Sequence, residues 1–154
     1  MTLSYAISLA LHVLAAAFWV GGMAALHYAV RPAAVETLDG PARPALLAAA
    51  LARFLSGVAF AIVVLLLSGA TMVLLAGGLA RVHWSVHAML VIGIVMMALF
   101  GHVRFAPYAR LRRAVEARDW PTAAHNLGTI RRLVAVNLTL GVVVFVVAIV
   151  GRAG

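Results

Sequence analysis

The chain has no cysteine, no lysine and only four carboxylate side chains in 154 residues. Without cysteine, disulfides, cysteine-ligated iron–sulfur centres and thiolate metal sites are all excluded. Without lysine, all twelve basic charges are arginine guanidinium groups. The acids, Glu36, Asp39, Glu116 and Asp119, lie between the apolar runs. Proton transfer inside such a run therefore falls to histidine. Charged residues make up 10% of the chain and hydrophobic residues 66%, against roughly 25% and 45–50% in a soluble domain. This is the composition of an integral membrane protein. The net charge of +8 is read as loop arginines that set topology and meet anionic lipid, so no nucleic-acid partner is expected.

Four apolar runs organise the chain into a single membrane domain over 1–154, with spans expected at about 3–30, 54–79, 82–103 and 133–151. The long N-terminal run has no basic residue ahead of it and is read as the first span rather than a cleaved signal. The connector "RPAAVETLDGPAR" carries an Asp39-Gly40 turn signal, and Gly77-Gly78 breaks the chain before the third run. A basic loop is expected over 104–132, with a short surface helix at 108–118 and a new helix start near Trp120-Pro121. No alternating strand pattern for a barrel appears, so backbone groups in lipid are satisfied by helices. The expected fold is all-α, an integral membrane four-helix bundle, with a homodimer as a candidate assembly. Ten arginines fall on the side of the first and third loops, against Arg81 and Arg152 on the other. That asymmetry places both termini in the periplasm and the protein, multi-pass, in a bacterial inner membrane.

Four histidines stand inside the apolar runs as two pairs with one spacing, His12 with His27 and His87 with His102. Fifteen residues of helix place the members of each pair about 22 Å apart and roughly 60° apart in azimuth, near opposite faces of a bilayer. Ionisable groups at that depth point to function. Two parallel helices offering one imidazole at each depth match the axial ligation of haem b. The leading expectation is thus a cytochrome b-like electron carrier with one or two haems, held by His12 with His87 and by His27 with His102. His83, one turn from His87, is the substitute outer ligand. Arg81, Arg104 and Arg131 are candidate partners for haem propionates, and a redox protein or quinone is the implied electron partner.

Copper is the alternative cargo, since imidazole and thioether both suit Cu(I). His12, His83 and His87 are its candidate outer ligands, and His27 and His102 its exit. Met23, Met72, Met89, Met96 and Met97 are read as core filler, and His125 as a surface residue. Ala17, Gly21 and Ala25 form a small-residue stripe suited to close helix approach.

The segment "LHVLAAAFWVGGM", with His12, Trp19, Gly21 and Gly22, resembles the opening of the copper-resistance D (CopD) membrane domain. "RFLSGVAFAIVVLLLSGATMVL", "GHVRFAPYARLRR" and "IRRLVAVNLTLGVVV" resemble its later segments. This resemblance implies inner-membrane copper uptake, with a periplasmic copper carrier as partner. Many members carry an acidic residue where this chain has Asn137. The same opening also resembles the HemJ-type protoporphyrinogen oxidases, which implies a haem site at His12. That family's second site residue is a lysine, which this chain lacks. A carrier or transporter is therefore expected ahead of an independent enzyme.

Overall fold

The computed structural model describes residues 2–153, and these form the expected all-α bundle. Helix α1 runs Leu3–Ala25, continues through a wide π turn at Leu26–Val30, and passes into α2 at Arg31–Thr37. Helix α3 spans Ala42–Leu75, α4 Trp84–Phe105, α5 Pro107–Glu116 and α6 Trp120–Ala153. Four of the resulting rods are long and apolar enough to cross a membrane. Their outward faces are unmistakably lipid-compatible, with Phe60, Leu74 and Ile149 each about 70% exposed or more. The protein is a multi-pass membrane protein, and lipid is its principal surrounding.

The helices outrun the apolar segments. At 1.5 Å per residue, the 34 residues of α3 extend about 51 Å, well past a hydrocarbon core of about 30 Å. The helix of the second span, α3, begins at Ala42, with Arg53 exposed on its side, rather than at the onset of continuous hydrophobicity near Phe54. Helix propensity is not interrupted by one arginine, so the interfacial segment simply joins the span. The stretch 104–132 is likewise no open loop: the end of α4, all of α5 and the start of α6 fill it. Ala48, Leu51 and Leu55 from α3 pack there with Val103, Leu111, Ala114, Ala123 and Ile130, giving a second core at the arginine-rich end. The first core, around Trp19, Met23, Val58, Ala61, Met96 and Leu138, lies within the apolar bundle.

Local chemistry explains each break. Pro32 sits in the first turn of α2 and has no N–H to donate, and its ring crowds the carbonyl four residues back. The preceding turn widens, and the Arg31 N–H reaches the Leu26 carbonyl five residues away. Helix α3 ends in a Schellman motif, with Gly78 N–H on the Val73 carbonyl (2.9 Å) and Gly77 N–H on the Leu74 carbonyl (3.0 Å). Both glycines have φ above +90°, which side chains resist. Helix α5 ends the same way through Arg118, a non-glycine residue held at φ 57°. Asp119 then accepts the Thr122 N–H (3.1 Å) as the N-cap of α6. The Thr122 side chain first, and then this backbone hydrogen bond, hold the Asp119 carboxyl below its ordinary range. In the first connector Arg43 donates to the carbonyls of Leu38 (3.0 Å) and Val35 (3.1 Å), satisfying the end of α2.

Helices α1 and α3 lock through reciprocal glycine holes. The Phe18 ring covers Gly57, the Phe54 ring covers Gly22, and the two rings lie 6.3 Å apart. Helix α4 lies along α6, where Gly141 admits Val20 and Met96, and Gly151 admits Ser85. The small-residue stripe of Ala17, Gly21 and Ala25 is not used in this packing. All three are exposed, and Gly21 has no neighbour where a Cβ would stand.

Candidate functional site

His12, Trp19 and Met23 lie on one stripe of α1. Trp19 and Met23 are 3% and 1% exposed, and His12 shares their azimuth to within about 40° on a 100° helical step. His27 lies about 6 Å beyond Met23 and about 40° around the helix from it, while His12 lies about 16 Å before Met23.

His12 faces α3. Its Nδ1 is 3.0 Å from the Ser68 hydroxyl oxygen. Gly69 beside it makes the room, since a Cβ there would stand 3.2 Å from the imidazole Cε1. The Ser68 hydroxyl donates to the Val64 carbonyl one turn back. With its one proton committed there, the serine oxygen accepts from His12 Nδ1–H. In the tautomer that carries its proton on Nδ1, the imidazole offers the Nε2 lone pair. That is the arrangement by which an outer residue orients a metal-binding histidine.

Below His12 the bundle interior holds soft and polar groups together. Met23 and Met96 both belong to the core around Trp19, and Met96 is 4% exposed. Asn137 is 5% exposed, and its Oδ1 is buried without a hydrogen-bond partner. It stands one helical turn from Gly141, whose own face meets Val20 and Met96. An unpaired amide oxygen at that depth lacks the partner that buried polar groups ordinarily have.

The other sequence candidates are distributed differently. On α4 the buried face is drawn by Ser85, Met96 and Val103. His87 is nine residues before Met96, hence about 180° around the helix, and it is exposed. His102 lies about 100° from Val103 by the same step and is also exposed. The bundle does not bring His12 together with His87, nor His27 with His102. Helix α1 presents His12 to α3, and the paired spacing on α4 falls on the face turned away from the core. The bis-histidine haem arrangement finds no support in this packing. His83 caps α4, with Nδ1 3.0 Å from the Ser85 hydroxyl, and His125 is exposed. Of the propionate candidates, Arg81 and Arg131 are exposed and Arg104 is half-buried. Among the described residues no three histidine or acidic side chains converge into a metal-binding group.

The sequence reading missed Ser68 as the partner of His12, although a serine beside a glycine on the neighbouring span was visible. It read Met23 and Met96 only as packing. Nothing in the sequence signalled that they share one core.

No curated protein and no solved structure matches the chain. The family model for copper resistance protein D matches residues 48–150, from the start of the second core to the last turn of α6. The match covers the later segments whose resemblance was apparent in the sequence, while His12 and the rest of α1 lie before it. It spans about two thirds of the 154 residues, and the chain belongs to the copper resistance protein D family.

Proposed function

We propose that the protein carries copper, as Cu(I), through the interior of its four-helix bundle in a bacterial inner membrane. The observation that carries this reading is His12, held at Nδ1 by Ser68, above a core that contains the thioethers of Met23 and Met96. Imidazole and thioether are the neutral, soft donors that suit Cu(I). Their neutrality also suits a low-dielectric path, because no charged ligand has to be desolvated. His12 is the receiving ligand, Met23 and Met96 the middle station, and His27 the end of the stripe. Family membership supports copper as the cargo.

The arginine distribution supports an orientation with His12 toward the periplasm and His27 toward the cytoplasm. A periplasmic copper carrier is then the donor, and uptake the direction. Ser68 acts as a positioning residue rather than a ligand. Competition with a Cu(I) chelator in detergent measures the affinity. Ser68→Ala is expected to weaken binding by roughly 10–100-fold, the usual effect of losing an outer-shell partner. Ser68→Thr keeps the hydroxyl and is expected to restore most of it. Equal affinity in wild type, Ser68→Ala and His12→Asn removes His12 from the mechanism.

A further inference from the structure

The arginine-rich end carries a second built feature, which shares only His27 with the proposed copper path. The π turn at Leu26–Val30 brings His27 and Arg31 onto one groove, closed by α3 and α6. Arg131 of α6 completes its basic rim, and Leu47, Leu51 and Ile130 form its apolar wall. A second cleft, of about 380 Å³, shares His27 and runs along the seam between α1 and α6. Its lining of Leu138, Val142 and Val143 belongs to the apolar span. Together the two clefts form one amphipathic track, basic at the membrane boundary and apolar toward the bilayer centre.

The charges on this rim are not used internally. Among the described residues the one ion pair is Arg112 with Glu116, at 3.4 Å on the exposed face of α5. Arg31 is half-buried and Arg131 lies two residues before the apolar run from Leu133, so both stand at headgroup depth. Two guanidinium groups at a membrane surface attract anions, and their planar forks suit phosphate oxygens. An anionic headgroup with chains continuing into lipid satisfies both halves of the track at once.

We infer that the groove formed by His27, Arg31 and Arg131 is a binding site for an anionic phospholipid, with the phosphate on the arginines and an acyl chain along the α1–α6 seam. The test is lipid retention by the intact purified protein, read by native mass spectrometry after exchange into detergent with defined phospholipids. Wild type is expected to retain phosphatidylglycerol or cardiolipin over phosphatidylcholine. Arg31→Gln with Arg131→Gln is expected to retain about 30-fold less anionic lipid, at roughly a tenfold loss per 1.4 kcal/mol and about 1 kcal/mol per surface arginine. Arg110→Gln with Arg112→Gln, which removes equal charge elsewhere at the same end, is expected to leave retention unchanged. Equal retention of phosphatidylcholine by wild type overturns the inference without requiring any variant to fold. So does equal loss in both double variants, which would reduce the effect to net charge. Displacement of the retained lipid by millimolar inorganic phosphate would also overturn it, since the acyl track would then contribute nothing.

Discussion

Replacing Asn137 with leucine is expected to make the protein more stable. The amide is 95% shielded, and its Oδ1 has no partner. An unsatisfied buried polar group costs about 1–3 kcal/mol. In a membrane protein the unfolded helices also hide their amides in lipid, which moves the gain toward the lower end of that range. Leucine fills nearly the same space without a polar atom, and adjoining Leu138 already belongs to the apolar core. A gain of about 1 kcal/mol follows, worth about 2–4 °C in Tm for a chain of this size. Thermal unfolding in detergent, followed by circular dichroism, measures it. A fall in Tm of Asn137→Leu would refute the reasoning, because it would mean that the amide holds the bundle together.

Two further substitutions test the packing. Gly141→Ala places a Cβ 2.6 Å from Val20 Cγ2 and 3.4 Å from Met96 Cε. Valine is held to one rotamer in a helix, so the α1–α6 seam must open, at about 1–3 kcal/mol. Gly21→Ala meets nothing and is expected to be neutral or stabilising by up to about 1 kcal/mol through helix propensity; paired denaturation curves distinguish the two. Arg118→Gly relieves the positive φ at the end of α5, and a gain of about 0.5–1 kcal/mol is expected in the same assay, the relief being partly offset by glycine's freedom in the unfolded chain.

The class of fold was legible from composition because lipid leaves few solutions: apolar runs of span length must be helices, and four runs make a bundle. The breaks were legible where glycine and aspartate mark them, at Gly77-Gly78 and near Asp39-Gly40. Helix ends inside the arginine-rich stretch were not, because arginine is a good helix former and hydropathy there reports burial in lipid, not backbone conformation. The site was legible only in part. His12 stood out as an ionisable group in an apolar run, and its partner Ser68 is a matter of helix pairing that no spacing within α1 encodes. The equal spacing of the two histidine pairs suggested a joint role. Spacing along a helix sets depth and relative azimuth, but the absolute azimuth is set by which face packs. Met96 and Val103 define that face on α4, and His87 points the other way. The π turn before Pro32, which aims His27 and Arg31 at one groove, arises from a single missing N–H and leaves no trace in hydropathy.

The central claim is passage of Cu(I) along the His12–Met23–Met96 interior, and copper uptake into sealed proteoliposomes tests it most directly. Copper is supplied outside under reducing conditions and counted inside by mass spectrometry. Met23→Leu and Met96→Leu remove the thioethers while keeping core volume, at a stability cost below about 1.5 kcal/mol each. The folded double variant and His12→Asn therefore report on the path rather than on folding. Wild type is expected to load copper well above protein-free vesicles, with the double variant and His12→Asn both reduced toward that background. Uptake by wild type no faster than in protein-free vesicles, or uptake that survives all three substitutions together, would contradict the account.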